Sequence, residues 1–208
     1  MMRQSASTLL ALADIAPYMS GMEEALLAGY DTGVSNAFGS HWQSLQLVAS
    51  LDAAQIYSTN GKLIQSWQSE DIELPDPELI GMHVQEVNKN EQPLTFLDCT
   101  NQCMQLAVVP MLAKGRNSGV IVLGTTLAAG IISFKDISGV DIGILNVSNS
   151  GQTVNGGDAR NIANWRARVS ALTNLEQNLP LLQSVAAQQR SLAGLNPGLR
   201  KTFNGREF

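Results

Sequence analysis

The stretch from Leu94 to Leu127 restricts the fold more than any other part of the chain. It reads Leu-Thr-Phe-Leu-Asp-Cys, then Thr-Asn-Gln, then Cys-Met-Gln-Leu-Ala-Val-Val-Pro-Met-Leu, and after a polar break Ser-Gly-Val-Ile-Val-Leu-Gly-Thr-Thr-Leu. Three apolar runs of strand length, separated by short polar turns, predict an antiparallel meander. A hairpin through Thr100, Asn101 and Gln102 sets Cys99 opposite Cys103. Facing Cα atoms lie about 4.5–5.5 Å apart in such a ladder, inside the span a disulfide tolerates. Pro110, late in the second run, predicts a frayed or edge-like end there, because proline has no amide hydrogen to give a ladder.

The 208 residues are enough for one large domain or two small ones, and 44% hydrophobic residues support an ordinary core. A net charge of −5 leaves no basic footprint, which argues against nucleic acid as a partner. No apolar run is long enough to span a bilayer, and Met1-Met2-Arg3-Gln4-Ser5 lacks the apolar segment of a signal peptide. The ends qualify that reading. Arg3 onward is a helix already under way, and Arg206-Glu207-Phe208 stops inside a strand, so the expectation is a fragment of a longer chain whose signal or anchor lies elsewhere.

Leu9, Leu12, Ile15 or Ala16, Met19, Met22 and Leu26 recur at helical steps and form one apolar stripe, disturbed at Pro17 and ended at Gly29. Asp31 is the expected N-cap of a second piece whose stripe is Val34, Phe38, Trp42, Leu45 and Val48. Asn60-Gly61, between Gln55–Thr59 and Lys62–Trp67, predicts a type I′ hairpin turn. Ser69 to Pro77 is an acidic loop. Glu78 to Lys89 is a helix loosened at Gly81. Leu127 to Ile137 is a short helix, Gly139 to Asn146 a strand, and Ser148 to Gly157 a polar turn region. Arg160 to Leu172 and Leu179 to Leu192 are read as helices, with Pro180 tolerated near the start of the second. Thr202 to Phe208 begins another strand around Asn204-Gly205.

This order resembles the double Cache family of bacterial extracytoplasmic sensor domains: a long N-terminal helix, Ile-Tyr-Ser-Thr-Asn-Gly-Lys-Leu, Cys-x-x-x-Cys, a strand ending Val-Pro-Met, Gly-Val-Ile-Val-Leu-Gly-Thr-Thr-Leu, a short helix, and Ser-Gly-Val-Asp-Ile-Gly-Ile-Leu. The subgroup it resembles carries a Cys pair between its third and fourth strands. The resemblance covers residues 5 to 147 well and the remainder loosely. It implies an α+β fold with a long N-terminal helix packed on a PAS-like five-stranded antiparallel sheet, followed by an incomplete second α/β module. The corresponding segments are 1–51, 52–138 and 139–208. It also implies a periplasmic position within an inner-membrane protein. The outputs of such proteins are diguanylate cyclase, cyclic-di-GMP phosphodiesterase or histidine kinase modules.

The cysteines admit three readings: a structural disulfide first, then inert thiols, then metal or redox chemistry. Redox work favours Cys-x-x-Cys at a helix N-terminus, and a zinc site needs paired ligands that His41 and His83 do not supply. Gly156-Gly157-Asp158 is a turn and not a cyclase signature, since no Glu-Phe follows. Asn146-Val147-Ser148 fits a glycosylation sequon, a match common by chance. Glu23 and Glu24 on a helix, with Asp71, Glu73 and Asp76 in a loop, are solvated charge. No catalytic constellation, metal set or cofactor motif is present.

A small-molecule pocket is the remaining candidate. In the resembled family it lies between the sheet and the segment after the first hairpin, here Ser69 to Pro93. Tyr57, Trp67, His83, Gln105 and Thr125 are its candidate ligand contacts. Gln105 alternates with Met104 and Leu106, and an amide there needs a pocket, solvent or a hydrogen-bond partner. The expectation is a non-enzymatic sensory domain that binds an unidentified small ligand. The N-terminal helix offers a homodimer surface and shifts against the sheet. A ligand-free dimerisation or spacer module is the alternative; a cytosolic thiol-redox protein is the third reading.

Overall fold

The computed structural model describes residues 2–100, 102–147 and 160–188, with the strand pieces 202–203 and 206–207. The chain divides into two compact units, Met1–Leu127 and Ala128–Phe208. The Gly-Gly-Asp turn lies outside the described residues, as does the whole of the expected 148–157 turn region.

In the first unit an N-terminal helical segment packs on a five-stranded antiparallel sheet. The segment is α1 (Met2–Ile15), a 3-10 turn at Ala16–Tyr18, α2 (Met22–Ala28) and α3 (Asp31–Ala49). Pro17 falls in the 3-10 turn, where its missing amide costs least. Gly29 ends α2 in the left-handed region at φ 62°, its amide donating to the carbonyls of Ala25 and Leu26. The N-cap of α3 is Tyr30, not Asp31. Asp31 is instead the first helical residue, with its carboxylate 3.2 Å from Lys62 Nζ. The expected stripes hold at Leu9, Ala16, Met22, Leu26, Val34 and Phe38, all buried, but Val48 is 88% exposed and lies off the stripe.

The strands are β1 (Ala53–Tyr57), β2 (Leu63–Gln68), β3 (Leu94–Asp98), β4 (Met104–Ala113) and β5 (Arg116–Thr126), with α4 (Pro77–Asn90) between β2 and β3. Their order is β2-β1-β5-β4-β3. Pairing of β3 with β4 ends at Leu94↔Val108, so Pro110 lies past the edge strand, next to a register shift before Leu112. The sheet separates two apolar layers. On one face Ala54, Ile56, Ala107, Val109, Met111, Ile121 and Leu123 meet the helical segment. On the other, Ala53, Tyr57, Met104, Leu106, Val108, Val120 and Val122 meet Ile80, Val84 and Val87 of α4. Asp76 caps α4 by accepting from the Glu78 amide at 2.9 Å, with Pro77 at the first helical position. The helix runs through Gly81 without a break.

The two tight turns reverse one expectation. A type I′ turn needs positive φ at both central residues. Lys114 (47°) and Gly115 (72°) satisfy this between paired Ala113 and Arg116. At the first hairpin only Gly61 is left-handed, at 78°. There Ser58 carbonyl accepts from Gly61 and Ser58 amide donates to Lys62 carbonyl, both at 2.9 Å. This is a type I turn closed by a glycine bulge, and the β1–β2 register shifts beside it.

The second unit contains α5 (Leu127–Ser138) apart from its first residue, then β6 (Gly143–Val147), β7 (Asn161–Ile162), β8 (Ala167–Leu172) and α6 (Leu175–Gln188). Its sheet runs β6-β8-β7. The helix expected over Arg160 to Leu172 is wrong: Ala167 and Val169 are buried while Arg168 and Ser170 are half-buried, which is strand alternation. Pro180 sits inside α6 rather than in its first turn, because the helix starts at Leu175. Short strands β9 (Thr202–Phe203) and β10 (Arg206–Glu207) pair antiparallel.

Candidate functional site

The five residues singled out from the sequence do not converge. Side chains alternate along a strand, and the two core layers assign each candidate to a face. Tyr57 lies on the α4 face, buried, its hydroxyl donating to Gln55 Oε1 at 3.0 Å. Burial raises its phenol pKa above the usual value, so it stays neutral. His83, on α4, rests its ring on Phe96 with centroids 4.3 Å apart. Its Nδ1 is 3.6 Å from Glu86 Oε2, too long for a hydrogen bond.

Trp67, Gln105 and Thr125 belong to the opposite face, toward the helical segment. Trp67 packs on Phe38 of α3 at 4.8 Å between ring centroids. Gln105 satisfies its amide within the sheet by donating to the Phe96 carbonyl at 2.9 Å. Thr125, which pairs with Gln105 across β4 and β5, donates to the Ser50 carbonyl at 2.9 Å. Where a ligand was expected, between the meander and Ser69 to Pro93, Ile72, Leu74, Ile80, Val84 and Val87 pack on the sheet.

Cys99 and Cys103 are joined in a disulfide. Their Cα atoms are 3.9 Å apart, closer than ladder spacing, because the pair lies past the strand ends at Asp98 and Met104. The Cys103 carbonyl accepts from the Leu127 amide at 3.1 Å, tying the hairpin to the point where the chain leaves the first unit. Beside it, Asp52 Oδ2 accepts from both the amide and the hydroxyl of Thr126, at 2.7 and 2.8 Å.

At the other end of the sheet lies a cleft of about 480 Å³. Its walls are Ala25, Leu26, Leu27 and Gly29 from α2, Asp31 and Val34 from α3, Ser58 to Asn60, Lys62 and Ile64 from the first hairpin, and Arg116 to Ser118 from β5. The topology makes it: β1 pairs with β5, so the β1–β2 and β4–β5 turns stand side by side. The Arg116 guanidinium has no ion-pair or hydrogen-bond partner among the described residues. A sequence signal existed, since both turns are followed by a basic residue, Lys62 after Gly61 and Arg116 after Gly115. Among the described residues, no group of His, Cys, Asp or Glu is placed to hold a metal ion. None of the described helices is long and apolar enough to cross a membrane.

A five-stranded antiparallel sheet in the order 2-1-5-4-3, covered by helices on both faces, with a smaller sheet-and-helix unit after it, defines a PAS-like fold. The chain belongs to the double Cache family: the family model described as the double sensory domain of two-component sensor kinase (dCache_3) matches residues 1–208. No curated protein matches the sequence. Among solved structures, the periplasmic domain of LuxQ from Vibrio cholerae superposes with a TM-score of 0.50 at 13% identity, over 90% of this chain and 85% of that one. A domain of a sensory box/GGDEF family protein from Vibrio parahaemolyticus gives 0.46 at 11% identity, over 64% and 57%. The sensory domain of the Campylobacter jejuni chemoreceptor Tlp3 with isoleucine bound gives 0.40 at 16%, over 99% and 82%. At that identity the LuxQ likeness speaks for the fold alone.

Proposed function

We propose that this chain is the extracytoplasmic, ligand-binding sensory domain of a bacterial transmembrane receptor whose output is a histidine kinase or a cyclic-di-GMP enzyme. The match of a double sensory domain over the whole chain carries this reading. The domain itself is non-enzymatic. It responds by a shift of the helical segment against the sheet, which a ligand drives only through unequal affinity for two arrangements. A homodimer through the helical segment belongs to the same reading, supported by Leu47 and Val48 of α3, which are 78% and 88% exposed. A thermal-shift screen of organic acids, amino acids and amines tests the ligand. Saturation at about a hundred times Kd adds about 2.7 kcal/mol of stability. A screen empty in every class sinks the sensor reading.

The second reading is a ligand-free dimerisation or spacer module. One observation favours it: the face between sheet and α4 is packed with side chains. It requires a dimer by light scattering together with that empty screen.

A further inference from the structure

We propose that the cleft between the two hairpin turns and the α2–α3 corner is the sensory site, and that its ligand is a small aliphatic carboxylate. This deepens the sensor reading and rests on it. The site differs from the one expected between the sheet and Ser69 to Pro93, and it shares none of the five residues singled out from the sequence.

The chemistry of the walls selects the ligand. Lys62 and Arg116 place two cations on the cleft against one carboxylate, Asp31. Lys62 Nζ gives one of its three hydrogens to Asp31 Oδ2 at 3.2 Å and keeps the others. Arg116 presents a planar fork of donors without a partner among the described residues, the geometry that binds a carboxylate through two parallel hydrogen bonds. A cationic ligand meets net repulsion here. A neutral one covers the guanidinium without pairing it, which costs free energy. The same cleft is lined by Leu26 and Val34, both buried, and by half-buried Ile64, which supply apolar surface for a short hydrocarbon tail. The volume, about 480 Å³, is that of a small-molecule pocket.

The cleft is also held in shape. Arg116 is the first residue of β5, its backbone fixed by pairing with Ala113 across the type I′ turn. Asn117 donates to Asn88 Oδ1 at 2.9 Å and accepts from the Gly119 amide at 3.0 Å. Asn88, on α4, in turn donates to the Thr59 carbonyl of the other turn. One α4 side chain therefore fixes both turns, so little ordering is left to be done on binding.

The test uses the whole chain and three probes of equal length, pentanoate, pentanol and pentylamine, titrated by calorimetry. Amide NMR shifts locate binding, and melting temperatures confirm that Arg116→Gln and Lys62→Gln remain folded. Pentanoate is expected to bind more tightly than both other probes. Its affinity should fall about tenfold or more in Arg116→Gln, as the loss of charged hydrogen bonds requires. It should fall less in Lys62→Gln, and amide shifts should cluster at 25–34, 58–64 and 116–118. Pentanol binding as tightly as pentanoate, a preference for pentylamine, or pentanoate affinity unchanged in both variants overturns the proposal. Shifts confined to Tyr57, Ile80 and Val84 overturn the cleft and leave the sensor reading standing. If none of the three probes binds, the cleft assignment falls, and the broader screen separately decides the sensor reading.

Discussion

Where the chain runs on from Leu127, the five-stranded sheet is closed by a disulfide, by the Cys103 carbonyl on the Leu127 amide, and by Asp52 gripping Thr126 twice. Thr125 adds a bond to Ser50, at the end of α3. At the far end, the two turns carry an exposed Lys62–Asp31 pair, an Arg116 side chain without a partner among the described residues, and an open cleft. The contrast has a mechanical sense. A sensory sheet gains from an end that stands open to a ligand, and from an end tied closely enough that a small displacement reaches the next element instead of being absorbed.

The largest effect expected is at the tied end. The double change Cys99→Ser with Cys103→Ser should cost about 2 kcal/mol, the chain-entropy value for so short a loop. Hydrogen exchange at the Leu127 amide should accelerate, because its acceptor belongs to Cys103. Chemical denaturation and exchange mass spectrometry read the two effects. An unchanged Leu127 would show that the disulfide does not hold the exit.

Asp52→Ala comes next, at about 1.5 kcal/mol, since it leaves the Thr126 amide and hydroxyl without their acceptor. Asn88→Ala should cost about 1 kcal/mol, because it unties Thr59 and Asn117 together. The two variants should be told apart by where the loss appears. Asp52→Ala should loosen 50–52 and 125–127; Asn88→Ala should loosen 58–62 and 115–118. Exchange that rises equally at both ends in both variants would abolish the distinction.

The tied end was legible in the sequence and the cleft was not, for physical reasons. Apolar runs with polar breaks announce a meander, and continuing the strand register brings Cys99 to Cys103 whichever strands flank the pair. The cleft depends on β1 lying beside β5, a pairing between residues far apart in the chain that no local pattern encodes. Gln105 was placed on the wrong side of the sheet because β4 is buried on both faces. Its even and odd positions are alike apolar, so alternation could not say which row meets α4. Asn60-Gly61 marked a hairpin correctly but not its turn, because Asn60 Oδ1 accepts from Ser58 Oγ and from the Lys62 amide and stabilises the longer loop. In the second unit, Ala167, Val169 and Ala171 alternate with polar neighbours over only six residues, beside Trp165 and Ile162, which also fit a helical stripe.

The smallest effect expected is the most useful for separating binding from stability. Lys62 and Asp31 are largely exposed, with side-chain accessibilities of 68% and 47%. Solvent and salt screen such a pair, so a double-mutant cycle of Lys62→Gln and Asp31→Asn should give a coupling below about 0.5 kcal/mol, falling further at high salt. Arg116→Gln, with no partner to lose among the described residues, should change stability by no more than about 0.5 kcal/mol. If these variants unfold as readily as Asp52→Ala, the charges at the turn end are structural and the two ends of the sheet are alike. If they leave the melting curve in place, any loss of ligand response belongs to the cleft, because the fold that presents it is intact.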